Sequence, residues 1–218
     1  MRRRALERRA AIRSDRSVPP SRKTPALKTP KVFCIGFHKT GTSSLGRALE
    51  LLGYRVCGPI GTREPDIAAR AEALACAAAE RHDAFQDNPW AVLYRELDRR
   101  FPGSRFVLST RPSAEWIASA TRHFGSEDTP MRAWIYGVGH PLGHEARYVE
   151  RYERHNREVR AHFAERPQQL LELALGAPDP WGALCAFLGA ERPTAEFPWL
   201  NRAARPTLGA RLRRRLGR

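Results

Sequence analysis

No stretch of this chain approaches the roughly 18 consecutive apolar residues that a membrane-spanning helix needs, so no transmembrane segment is expected. The basic start lacks the apolar run of a secretory signal. Its arginines and serines suit an organellar transit peptide, but Glu7, Asp15 and the prolines that follow do not. Cysteine is sparse and scattered: Cys34, Cys57, Cys76 and Cys185 form no CxxC pair. In a chain of this length they read as reduced thiols of a cytoplasmic protein rather than as a disulfide framework. No clustered Cys/His spacing announces a structural zinc. No internal repeat is visible.

What the chain does have is positive charge. Its 218 residues include 38 Lys+Arg against 23 Asp+Glu, a formal net charge of +15. The first reading of such an excess is a nucleic-acid or anionic-membrane binder, but the distribution argues otherwise. Residues 1–31 hold 11 basic and 2 acidic residues, and residues 201–218 hold 7 arginines and no acid. The stretch between them is close to neutral. Neither end interleaves aromatic with basic residues, so a stacking platform for single strands is absent and no specific nucleic acid is expected. Weak contact of the basic tails with an anionic surface stays open.

Residues 1–30 combine this charge with Pro19, Pro20, Pro25 and Pro30, too little apolar material to offset ordering entropy. They are expected to form a disordered arm, with at most a transient helix over Arg4–Ile12. Residues 31–200 read as one domain and 201–218 as an Arg-rich tail. Within the domain, Val32–Gly36 is a short apolar run of the buried parallel type. Helix follows over Ser43–Leu52, then a short strand at Tyr54–Val56 and an alanine-rich helix from Pro65 to about His82. Ala84–Gln86 is a second core strand. Pro89 suits the first turn of a helix carrying Leu93, Leu97 and Phe101. Arg105–Thr110 is the clearest later strand, followed by helix over Pro112–Phe124. After an irregular stretch with helical turns near Met131–Tyr136 come a charged helix at Glu145–Phe163, a last strand at Leu170–Ala174 and a last helix at Trp181–Leu188. His140, His144 and His155 have polar neighbours and are expected in solvent. The alternation predicts an α/β fold: three layers, a mainly parallel central sheet with helices on both faces.

The most informative stretch is Phe37-His38-Lys39-Thr40-Gly41-Thr42-Ser43, between the first strand and its helix. Amides at a helix N-terminus attract an anion, Gly41 permits close approach, Lys39 adds a point charge, and Thr40, Thr42 and Ser43 add hydroxyl donors. This is a phosphate site in physical terms, although Ser and Thr also serve as plain helix caps. A nucleoside-triphosphate loop places Lys directly after its second Gly; here that position is Thr42, and the lysine comes earlier. The strand ending at Thr110 also offers no Asp to hold magnesium.

The loop instead resembles the phosphosulfate-binding loop of sulfotransferases that use 3′-phosphoadenosine-5′-phosphosulfate (PAPS), roughly aromatic-Pro-Lys-[ST]-Gly-[ST]-[ST], with His38 in place of Pro. The resemblance spans about Val32 to Leu188 and implies a P-loop-type sulfotransferase fold. It further implies an Arg at a strand end and a Ser eight residues on, gripping the donor's 3′-phosphate; Arg111 and Ser119 have that spacing. It places a catalytic residue before a Pro after the second core strand, where Asp87-Asn88-Pro89 stands. Pro112 departs from the Asp or Asn that many members carry there. For the C-terminal basic cluster of the family, only Asn201-Arg202 or the Arg tail is at hand.

The resemblance implies sulfuryl transfer from PAPS, leaving 3′-phosphoadenosine-5′-phosphate (PAP), with no metal. Lys39 would neutralise the leaving oxygen with the loop amides and Thr40, Gly41, Thr42 and Ser43. Asp87 would take the acceptor proton, with His38 as second candidate. The acceptor is a hydroxyl compound: carbohydrate, lipid or small metabolite. Gly125–His144, with Trp134, Tyr136 and His140, is the expected acceptor lid. Two other classes compete: a P-loop kinase-like nucleotide enzyme, and a non-catalytic polyanion binder working through its tails. Asp87, Arg111 and Ser119 also admit plain structural readings, as a turn former, a surface charge and a packing residue.

Overall fold

Val32, Phe33 and Cys34 are wholly buried and form the central strand β1 (Val32–Cys34), as a parallel strand covered on both faces requires. A computed structural model describes residues 30–174 and 176–200. The expected disordered arm, its transient helix and the Arg-rich tail lie outside the described residues. β1 pairs in parallel with β3 (Ala84–Gln86) on one side and β4 (Arg105–Thr110) on the other. β2 (Val56–Cys57) continues the sheet beyond β3, and β5 (Leu170–Ala174) beyond β4. The order is β2-β3-β1-β4-β5, all parallel.

Alternation along the strands sends side chains into two cores. Phe33, Phe85, Phe106 and Leu108 face one layer with α2 (Ile67–Ala79), α3 (Tyr94–Arg100), α4 (Ser113–Phe124), α5 (Pro130–Tyr136) and α6 (Glu145–His162). Val32, Cys34, Val107 and Leu173 face the other, with α1 (Thr42–Leu51) and α7 (Pro180–Leu188). The first core is aromatic: Phe33 stacks on Phe85 at 4.7 Å between centroids, and Trp116 on Tyr152 at 4.3 Å. Each fully buried ring contributes about 1.5–3 kcal/mol. The three-layer α/β expectation holds. Among the described residues, no helix is long and apolar enough to cross a membrane.

Three local expectations need correction. The strand expected at Tyr54–Val56 lies at Val56–Cys57, because that is where Ala84 and Phe85 offer a partner. Pro89 does not open a helix. The Asn88–Pro89 peptide is cis, and the Asp87 and Pro89 carbonyls accept turn hydrogen bonds from Ala91, Val92 and Leu93 before α3 begins at Tyr94. His155 is fully buried rather than solvated. It falls in the Tyr148–Tyr152–Val159 stripe of α6, so its charged sequence neighbours point elsewhere.

Candidate active site

The chain leaves β1 for β2 on one side of the sheet, while β4 and β5 lie on the other. Ligands of open α/β sheets bind at such a switch point, outside the carboxyl ends of the strands. Three segments meet there: the loop after β1, the turn after β3 and the end of β4. Gly36 is required for the first to fit, since a Cβ on it would lie 2.1 Å from Ser109 Oγ of β4.

The loop is held open toward a cleft. Gly41 is the N-cap of α1 at φ 97°, and among the described residues no side chain caps the first-turn amides. At α5 and α7, by contrast, Thr129 and Asp179 close the helix starts. Gly41, Thr42, Ser43 and Ser44 line a cleft of about 400 Å³ together with Lys39, Asp87, Arg111 and Ser119, a volume within the usual range for ligand pockets. The amides of α1 and the Lys39 ammonium give it a positive floor.

The loop hydroxyls divide their work. Thr42 Oγ1 donates to Asp87 Oδ2 at 3.0 Å. Ser43 is exposed at the cleft. Ser44 Oγ accepts the Leu200 amide at 2.9 Å, which ties the end of the described chain to the start of α1. Thr40 departs from its expected role. Its side chain donates to the Phe37 carbonyl at 2.7 Å, shares a 2.6 Å hydrogen bond with Ser109 Oγ and is buried away from the cleft. The loop turns too tightly there for the hydroxyl to face a ligand, so Thr40 fastens the loop to β4.

Asp87 and Lys39 are the two non-glycine residues with positive φ among the described residues, at 73° and 66°. Such backbone costs of order 1–3 kcal/mol each and collects at functional sites. Burial pushes the Asp87 carboxyl above the usual range, against hydrogen bonds from Thr42 Oγ1 and the Asn88 amide and the charges of Lys39 and His123. Burial, with Arg111, lowers Lys39, and Asp87 opposes that. Lys39 therefore senses both Asp87 and Arg111 across the cleft.

At the end of β4, Tyr152 grips the backbone of Arg111 on both sides. The Arg111 amide donates to Tyr152 Oη at 2.9 Å, and that hydroxyl donates to the Arg111 carbonyl at 2.8 Å. Pro112 then occupies the N-cap of α4, and Ser119 lines the cleft with Arg111. The Arg111 side chain meets Glu115 at 3.3 Å at the surface.

His38 is walled in. Asn88 Nδ2 lies 3.2 Å from its Nδ1 and Tyr136 Oη 3.2 Å from its Nε2. Its carbonyl accepts the Trp116 indole N–H at 2.8 Å, which locks the loop to α4. Burial, then Arg132, Lys39 and His123, lower its pKa to about 3. A neutral ring with both nitrogens taken is a structural bolt, not an available base.

The expected lid is a wall. Arg132 donates through Nε to the Gly139 carbonyl at 2.8 Å and through Nη2 to the Glu127 carbonyl, tying both ends of the segment. Thr129, Met131 and Arg132 line the cleft. Trp134 packs on the core, Tyr136 stacks on Tyr148 at 3.8 Å, and His140 pairs with Asp128 at 2.8 Å. The sequence reading missed Arg132 and His123. For His123 a signal existed: it lies one helical turn beyond Ser119, on the same face.

No curated protein matches the chain. A family model described as a sulfotransferase domain matches residues 31–144 and 129–205, most of the chain. That match covers the loop, the turn after β3 and the end of β4 that build the cleft. The chain belongs to the sulfotransferase domain family.

Proposed function

We propose that the protein moves a sulfuryl group from PAPS to a hydroxyl-bearing acceptor. The observation that carries this reading is the meeting of Lys39, the open amides of α1, Arg111, Ser119 and Asp87 in one cleft, from three separate segments. Their chemistry fits the donor. A doubly phosphorylated nucleotide needs two anion sites; Lys39 with the α1 amides is one, and Arg111 with Ser119 is the other. Arginine suits the second because its fork matches a phosphate.

PAPS supplies the reactive sulfuryl group, and the protein's part is positioning and charge stabilisation. Lys39, Gly41, Thr42 and Ser43 would hold the 5′ end and stabilise the charge that grows on the departing phosphate oxygen. Asp87 would draw the acceptor proton, directly or through a second base; Thr42 and the Asn88 amide fix its carboxylate. Arg132, Thr129 and Met131 would border the acceptor. A magnesium-dependent nucleotide enzyme is less well supported, because Thr42 stands where such loops carry lysine.

Calorimetry with PAP tests the reading. Each charge-assisted contact is worth about 1.5–3 kcal/mol, so Lys39→Ala and Arg111→Ala should each weaken PAP by roughly 10- to 100-fold. Unchanged affinity in both variants, or binding of ATP with Mg²⁺ in place of PAP, would overturn it.

A further inference from the structure

The helix that carries Ser119 sends a second side chain to the cleft. His123 follows Ser119 by one helical turn and lines the same cavity as Lys39 and Asp87. It differs from the other buried or paired imidazoles of the molecule. His38 is buried with both ring nitrogens bound, His155 is buried with its Nε2 on the Ile35 carbonyl and its Nδ1 sealed from solvent, His140 is taken by Asp128, and His162 by Asp98. The His123 ring makes an edge contact with Phe124 at 4.8 Å, and among the described residues no hydrogen bond engages its nitrogens. It is exposed on the cleft side of α4, where a small ligand can reach it.

Charged groups face it from each element around the cleft: Lys39 from the loop, Asp87 from the turn after β3, Arg132 from α5 and Glu127 from the segment before α5. A histidine in the last turn of a helix ordinarily gains from the carbonyl ends and titrates high. This one is held below 6.5, by partial burial first and by Lys39 and Arg132 next, with Asp87 and Glu127 opposing. Both influences favour the neutral ring, the form a proton acceptor needs.

We propose that His123 is a catalytic residue: its imidazole takes the proton of the acceptor hydroxyl, and the Asp87 carboxylate offsets the charge of the resulting imidazolium. The step rests on the sulfotransferase reading and balances simply. The acceptor O–H bond breaks and its proton goes to the free ring nitrogen. The acceptor oxygen bonds to sulfur, and the bond from sulfur to the bridging phosphate oxygen breaks with its electron pair left on PAP, beside Lys39. The exposed imidazolium returns its proton to solvent.

The full chain tests this, with water as the acceptor and PAP released from PAPS as the readout. His123→Gln should bind PAP within about threefold of the unsubstituted chain, while PAP release falls by about 100-fold or more, the usual range for a lost general base. The fall in rate below neutral pH should flatten in the variant, and added imidazole should restore release by His123→Ala. NMR titration of the PAP complex should place the His123 midpoint below 7. Release by His123→Gln within threefold of the unsubstituted chain, or a midpoint above 7, overturns the proposal. Failure of the unsubstituted chain to bind PAP would instead sink the sulfotransferase reading itself.

Discussion

Asp87 sits in a backbone conformation that costs energy, φ 73°, with a carboxylate that burial works to neutralise. Two hydrogen bonds, from Thr42 and the Asn88 amide, work to keep it charged. A turn former would need neither the burial nor the threonine, which sets Asp87 apart from an ordinary residue before Asn-Pro. Asp87→Asn should keep PAP affinity within about threefold and lower PAP release from PAPS by about two orders of magnitude. An active Asn variant would remove the carboxylate from the chemistry. Thr40 belongs to the other category. Removing its hydroxyl leaves Ser109 Oγ without its buried partner and the Phe37 carbonyl with only the Thr40 amide, at a cost of about 1–3 kcal/mol. Thr40→Val should lower the urea midpoint accordingly. A variant as stable as the unsubstituted chain, but unable to bind PAP, would return Thr40 to the ligand.

At the scale of elements, legibility followed the reach of the forces. β3, β4 and β5 occupy the expected residues because short apolar runs bounded by turns have few alternatives. α5 was expected only as helical turns near Met131–Tyr136; the structure starts it at Pro130, capped by Thr129. β2 starts two residues and ends one residue later than expected, because a two-residue strand is placed by its partner rather than by its own propensity. The loop after β1 was readable as an anion site from Lys39 and Gly41. Which of its hydroxyls face the ligand was not, since that depends on Ser109 of β4 and Asp87 of the turn after β3, neither a sequence neighbour. How the segment over Gly125–His144 is held was unreadable for a similar reason: Arg132, reaching the Glu127 and Gly139 carbonyls, ties it down beside the cleft.

The whole molecule carries a pH dependence in its buried imidazoles. Burial lowers His38 to about 3 and His155 to about 4, against about 6.5 in an unfolded chain. Below pH 6.5 the unfolded chain therefore binds more protons, so stability falls as pH falls and is fully present only above that value. At pH 5 each histidine costs roughly 2 kcal/mol, at about 1.4 kcal/mol per pH unit. Asp87, raised by burial, acts in the opposite direction. The urea midpoint should drop between pH 7 and pH 5, and the drop should shrink in His155→Phe. A midpoint independent of pH over that interval would mean that neither ring is held neutral.

Charge was the most conspicuous property of the sequence, and its excess is carried by residues 1–31 and 201–218. The near-neutral stretch between the basic ends brings Lys39 and Arg111 together, and these with the α1 amides meet the charge of the proposed donor. The sequence by itself determined the three-layer α/β class, the placement of the Gly- and hydroxyl-rich loop between β1 and α1, and the spacing of Arg111 and Ser119, because periodicity and local spacing are properties of neighbouring residues. Only the tertiary structure decided that Thr40 faces inward, that His38 and His155 are sealed in neutral form, and that His123 stands open beside Lys39 and Asp87. Burial and charge at a residue are set by segments far away in the chain, and only folding brings those segments together.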